Sequence, residues 1–517
     1  MEQNYMIWVR NALALCVNAF QEENELMKKE FAELAEVFSS FRLQEKLSVF
    51  ELIGNSLQDN HMAIVNIYSC IIQNTGLQDF EKPLMNHLLS CDYDVLAGCM
   101  MELQVMRIIK GCYSEKRSLH RRNAQKLRQE VGQEWSYTPV KSRNPKRIVI
   151  ITEQLMSFSH APTAVVLNIA YVLKKQMHYE VFIFICPCDG ELSTEMWYRS
   201  RYMDSVDGFR DKQINTRYKD EVFPGYQINM DMPDCIQKYS MMLAAIREWN
   251  PAFVLGLGVV NPVLDLVNEF TTVASMALSA TCPVSDSEIL FRLERQKEEI
   301  EQEYEAAFRQ NQTQIFMETT LPVIVEKQIS GNPSREELGL PLDKFIIVIV
   351  GNRLDQEIDV KFIELMKSVL VKYPDCVFAI VGTVTQLRDY FEEEKYQDRI
   401  FYLGFRSDLF GTYRVMDLYL NPKRTGGGWS SAMALMTGVP VVTLPNCDVA
   451  YNVGDKFIVS DYEEMKATIN RYLTEPDFMG KMKQYAAECG AENTEEQMIK
   501  FVQSMIDGIK VVLEGSK

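Results

Sequence analysis

The chain has 517 residues, enough for two or three domains with full cores. Its residues are 47% hydrophobic and 24% charged, the balance of a globular protein. A net charge of −17 excludes a general nucleic-acid binder, and no run of about 18 apolar residues suggests a membrane span.

The opening stretch, MEQNYMIWVRNALALC, has no charged region ahead of a long apolar core, so it reads as fold rather than leader. A soluble, cytoplasmic protein is the expectation. The twelve cysteines are scattered, and Cys186 and Cys188 flank Pro187 without a CxxC spacing. They read as buried free thiols of a reducing compartment.

Residues 1–145 read as all helix. Apolar residues recur at three and four spacing from Ala12 to Leu43, which predicts one helix there. Glu45–Leu57, His61–Gln73, Pro83–Leu89 and Val95–Lys110 fit further helices. A basic run follows: Lys116, Arg117, His120, Arg121, Arg122, Lys126 and Arg128. It reads as a solvated helix face, with steering of an acidic partner as the alternative.

After a linker with Pro139 and Pro145, Arg147–Thr152 is a buried strand. Glu180–Cys186 and Phe253–Gly256 are further strands, and Pro233–Trp249 is a helix between them. Together they make a first Rossmann-like domain, residues 146–335. The loop after its first strand runs from Glu153 to Ser159, and a helix begins near His160 with Pro162 in its first turn. Ligand crevices open at the carboxyl ends of such strands. His160 is therefore a candidate general base, since a histidine titrates near neutral pH. Glu153 is the rival, and a histidine that merely begins a helix is the plain alternative. The other four histidines gather into no metal cluster. Ser287–Gln314, with alternating acids and bases, predicts a long solvated helix, and Met317–Lys327 a connecting strand.

A second Rossmann-like domain, residues 336–490, starts at the apolar strand Phe345–Gly351. A helix over Val360–Tyr373 and strands over Val377–Gly382 and Ile400–Leu403 follow. The short run Met416–Asn421 is a strand that ends at Pro422. A loop with Lys423, Arg424, Gly426, Gly427 and Gly428 leads into a helix from Trp429 to Thr437, and Val439–Leu444 is the next strand. Strand, glycine loop, helix and strand in this order require a parallel pair with a right-handed crossover. Three glycines let the backbone approach a ligand closely. Ser430 and Ser431 stand in the first helical turn, where free N–H groups and the helix dipole favour an anion. Lys423 and Arg424 add full charges. The loop therefore reads as a phosphate or diphosphate site, with a plain tight turn as the alternative. It lacks the GKS or GKT ending of a Walker loop.

This segment resembles the donor-binding segment of GT-B glycosyltransferases, which pair two Rossmann-like domains across a cleft. The GVPVV block, Gly438–Val442, is shared by many of them. Asn421–Pro422, Gly426–Ser431 and Thr443–Asn446 are similar to the protein O-GlcNAc transferase and bacterial adhesin N-glycosyltransferase type. Two departures stand out. The glutamate pair of retaining members would fall at Thr425 and Met433, and the ribose-binding acid of the O-GlcNAc transferase type also falls at Met433. The resemblance implies an α/β GT-B fold with a helical N-terminal domain and a last helix, residues 491–517, packed back across the domains. It implies a sugar donor linked to UDP and no cofactor or metal. Arg353 and Lys423 would meet its diphosphate, with Gly426, Gly427, Gly428, Trp429, Ser430 and Ser431. Gly404 and Phe405 would lie against its base. His160 matches, in a spaced version, a His-Pro-Thr at the family's active site. The implied activity is hexosyl or N-acetylhexosaminyl transfer to a protein side chain, by a chain free to form homo- or hetero-oligomers. The missing acids lean towards inversion. They also leave open a non-catalytic GT-B-like partner subunit that binds acceptor protein.

Overall fold

The computed structural model describes residues 4–19, 25–58, 60–109, 111–158, 160–186, 209, 211–228, 234–258, 262–278, 283–293, 298–306, 312–318, 321–324, 331–424, 426–445 and 447–515. Ser159, Cys188, Thr425, Asn446 and the end of the expected Met317–Lys327 strand lie outside them. The chain divides into two compact units, Met1–Glu318 with Val502–Lys517, and Thr319–Phe501. No described helix is long and apolar enough to cross a membrane.

The first unit begins with helices Asn4–Ala19, Glu25–Ser39, Leu43–Ser56, His61–Thr75, Glu81–Ser90, Val95–Ile108 and Tyr113–Val131. Their core is built on Phe80, whose ring lies 4.9–5.3 Å from those of Phe38, Phe50 and Tyr68. Burying a ring of this size stabilises by about 1.5–3 kcal/mol. The single helix expected from Ala12 to Leu43 is instead two, ending at Ala19 and Ser39. At the second end, the Ser39 and Ser40 hydroxyls donate to the Ala35 and Val37 carbonyls and compete with the helical ladder.

The basic run is a solvated face only in part, with Arg121 and Arg128 exposed. It lies on Tyr113–Val131, and Lys116, Arg117 and His120 are buried. Arg117 and Arg121 both pair with Asp286, and Arg117 also donates to Gln312. His120 sits between Glu102 and Asp265, with its Nε2 2.9 Å from the Asp265 carboxylate. Burial works against the charge on this imidazole, but Glu102 and Asp265 outweigh it and hold the pKa well above its ordinary value. Asp265, Asp286 and Gln312 lie more than a hundred positions away and Glu102 lies on the preceding helix, so spacing alone could not reveal them.

The sheet of this unit has the order β3-β4-β2-β1-β5-β6-β7-β8. Its strands are β1 (Asn144–Thr152), β2 (Glu180–Ile185), β3 (Lys212–Tyr218), β4 (Glu221–Gln227), β5 (Pro251–Leu257), β6 (Val273–Met276), β7 (Ile289–Arg292) and β8 (Thr313–Phe316). The pairs are parallel except the β3–β4 hairpin, which sequence reading did not anticipate. The long helix expected over Ser287–Gln314 breaks into β7, a helix over Glu298–Ala306 and β8. Ile289, Leu290 and Phe291 are fully buried, and β7 pairs with β6, so tertiary pairing overrides the helical charge pattern. The connecting strand expected over Met317–Lys327 is not found in its described residues, 317–318 and 321–324; β8 ends before it, at Phe316.

The second unit holds a parallel sheet of order β11-β10-β9-β12-β13. Its strands are β9 (Phe345–Val350), β10 (Cys376–Val381), β11 (Ile400–Gly404), β12 (Leu418–Leu420) and β13 (Val441–Val442). Only the middle of the expected Val439–Leu444 strand is regular; Thr443 bridges to Ile458 instead. From β9 the chain moves outward through β10 to β11, then returns to place β12 on the other side of β9. The order therefore reverses between β9 and β12. In the first sheet it reverses likewise between β1 and β5. Open α/β sheets bind ligands outside the carboxyl ends of the strands at such reversals.

Candidate active site

Two loops meet at the carboxyl ends of β9 and β12. One carries Arg353; the other is the glycine loop. Pro422 ends β12, and the helix Gly428–Met436 begins six residues on. Gly427 caps that helix with φ +105°, a left-handed conformation that favours glycine. A Cβ on Gly427 would also stand 2.7 Å from the Arg424 guanidinium, and one on Gly428 2.9 Å from the Asp448 carbonyl oxygen. Gly426 differs: the nearest atom to a Cβ there is Arg353 Nη2, at 3.5 Å. Two of the glycines thus serve packing, and Gly426 lies beside Arg353.

The two cations of the loop have different surroundings. Lys423 is exposed. Arg424 is buried beneath the loop, where it donates to the carbonyl of Val350 (2.7 Å), the Tyr419 hydroxyl (2.9 Å), Asn421 Oδ1 (2.8 Å) and the Glu357 carboxylate (2.8 Å). Burial disfavours its charge, but Tyr419 and Glu357 outweigh that and keep its pKa above the ordinary value. Arg424 ties β9, β12 and the loop together. Glu357 also accepts from Arg353, through Nε at 3.1 Å and Nη2 at 2.9 Å, and Arg353 remains 42% exposed.

Ser430 and Ser431 turn their hydroxyls back to the loop, each donating over 2.9 Å to the carbonyl of Gly427 and Gly428 respectively. Ser431 is fully buried and Ser430 partly; the Ser430 hydroxyl also meets Tyr419 at 3.1 Å. Their geometry shapes the helix start, whose first backbone N–H groups have no partner within the helix. Trp429 is half-buried against the core of the unit. Gly404 ends β11 with φ +65°, and Phe405 after it is 66% exposed. Sequence reasoning missed Glu357, Tyr419 and Gly382. A Cβ on Gly382 would run into the Gly351 carbonyl oxygen, so the ends of β9 and β10 approach each other only with glycine there. Glu357 did carry a signal, since it stands four residues after Arg353, a helical pairing distance.

In the first unit, Glu153 and His160 both lie on the loop that leaves β1. Glu153 is buried against Gly258, which follows β5, so it stands at the reversal of the sheet. His160 is the residue before the helix Ala161–Tyr171 and is half-buried. It makes no side-chain cap. Its Nδ1 lies 3.0 Å from Thr163 Oγ1, which in turn accepts from the Met156 N–H at 2.8 Å. Thr163 is fully buried, so it fixes the ring against a rigid partner.

Residues 344–475 match the family model of the group 1 glycosyl transferases. No curated protein sequence matches the chain. Among solved structures, an O-GlcNAc transferase variant of Thermobaculum terrenum is similar, with 12% identity and a TM-score of 0.57, over 99% of this chain and 98% of that one. A UDP-forming α,α-trehalose-phosphate synthase from Burkholderia vietnamiensis has 10% identity and a TM-score of 0.50, over 72% of this chain and 99% of that one. Identities this low speak for the fold alone. The chain has the GT-B fold, and the residues that match the group 1 glycosyl transferase model, 344–475, include the glycine loop.

Proposed function

We propose that the protein transfers a hexose or N-acetylhexosamine from a UDP-linked donor to a protein side chain, without a metal. The observation that carries this is the meeting of the Arg353 loop and the glycine-capped helix start at the reversal of the second sheet. The first-turn N–H groups, Arg353 and Lys423 would neutralise the charge that develops on the leaving diphosphate. Gly426 gives the diphosphate room beside Arg353, and Gly404 and Phe405 receive the base. UDP is favoured because the similar trehalose-phosphate synthase is described as UDP-forming, and a protein acceptor because the other similar structure is an O-GlcNAc transferase.

On the acceptor side, His160 or Glu153 would orient or deprotonate the nucleophile. For His160 to act as base its imidazole must be neutral, and the contact of Nδ1 with Thr163 Oγ1 would set the orientation of the ring. Replacing Thr163 by valine would remove that arrangement and keep the shape.

The test is a thermal-shift panel with UDP, GDP, CDP and dTDP, with and without magnesium, followed by donor-hydrolysis assays. A nucleotide at a hundred times its Kd stabilises by about 2.7 kcal/mol. A shift with UDP that does not need magnesium is the expected result. No shift with any nucleotide would overturn the donor site and favour the partner-subunit reading.

A further inference from the structure

Glu357 stands between two arginines with different tasks. Its Oε2 receives the buried Arg424, which is fixed by Val350, Tyr419 and Asn421. Its Oε1 receives the Nε and Nη2 edge of Arg353. The carboxylate itself is only 14% exposed, so its own position is set by the protein interior. An arginine side chain has several rotatable bonds, and holding it at one edge removes most of their freedom. Glu357 thereby sets the plane of the guanidinium through its Nε and Nη2 edge. The Nη2 atom lies beside Gly426, on the loop where the diphosphate is proposed to sit.

We propose that Glu357 is a positioning residue: anchored by Arg424, it aims the Arg353 guanidinium at the donor diphosphate. Arg424 itself is then no phosphate ligand. This rests on the donor site proposed above. It adds that the orientation of Arg353, as well as its charge, sets affinity for the nucleoside diphosphate.

The experiment is calorimetric titration of the full chain with UDP, for wild type, Glu357→Gln, Arg353→Ala, Arg353→Lys and the double variant Glu357→Gln/Arg353→Ala. Arg353→Ala is expected to weaken binding by roughly ten- to a hundredfold, the loss of a charge-assisted hydrogen bond. Glu357→Gln should weaken it on the order of tenfold, and the double variant should match Arg353→Ala within about twofold, because one residue acts through the other. Arg353→Lys keeps the charge but loses the planar fork, and should fall close to Arg353→Ala. This variant leaves the Arg424 contacts intact, so it remains informative if Glu357→Gln does not fold. Wild-type affinity in Arg353→Lys, equal or tighter binding in Glu357→Gln, or losses that simply add in the double variant would overturn the positioning role. If wild type binds none of UDP, GDP, CDP or dTDP, the donor site itself is overturned, and this inference with it.

Discussion

The Tyr113–Val131 helix and the glycine loop look alike as text: each is a short stretch dense in cations. In the folded chain they differ in what the charges meet. Arg117 and His120 are sealed against Asp286, Asp265 and Glu102, and their charges are spent inside the protein. In the glycine loop the same fate befalls Arg424 alone, while Lys423 stays exposed and Arg353 is held at one edge. A cation is therefore a candidate ligand group only where the fold leaves part of it exposed, as it does Lys423 and Arg353 and not Arg424.

The comparison is broken most directly by removing a sealed arginine from each region. Arg117→Ala and Arg424→Ala should each cost about 3–5 kcal/mol, because each removes several buried charge-assisted hydrogen bonds at once. Equilibrium denaturant unfolding reads this, and a loss under 1 kcal/mol for Arg424 would return it to the list of ligand groups. Gly382→Ala should cost about 2–4 kcal/mol through overpacking on Gly351 and a strained φ of +129°. The same unfolding curves measure it.

His120 sharpens the comparison through pH. Its folded pKa lies well above the unfolded value of about 6.5, so its stabilisation is fully present below that pH. It is lost as pH rises through the folded value. The stability gap between wild type and His120→Gln should be widest below about pH 6.5 and narrow on the alkaline side. A gap that does not change with pH would mean that the imidazole is neutral. The smallest effect is expected for Lys423→Ala. Stability should stay within about 0.5 kcal/mol, while UDP affinity falls a few-fold and depends less on salt than in wild type.

The difference between the two regions also marks what sequence could tell. The strand–loop–helix–strand unit around Gly426–Gly428 was legible because its signals are local: Pro422 ends a strand, Gly427 caps a helix, Gly438 stops it. The two Rossmann-like sheets followed from apolar runs of strand length such as Phe345–Val350. What failed was non-local. The stretch Ile289–Arg292 became a strand because β6 lay beside it, and Lys116–His120 were buried by residues more than a hundred positions away or on a neighbouring helix. Glu357 and Arg424 are 67 positions apart, joined only because β9 and β12 are neighbours. Spacing along one helix cannot report such a pair. The hydroxyls of Ser430 and Ser431 were expected at the helix start and are there, but they face the loop carbonyls.

The last helix, Glu495–Gly515, starts in the second unit and ends in the first. Gly508 packs there: a Cβ on it would stand 2.9 Å from Ile315 of β8. This has a consequence for biogenesis. The first unit has emerged up to Glu318 when Val502 is still about 180 residues from being made, a delay of roughly ten to forty seconds at 5–20 residues per second. Over that interval the nascent first unit lacks its closing segment and exposes the face that Gly508 covers. A ribosome-bound chain stopped before Val502 should accordingly be more sensitive to protease around β8 than the released protein.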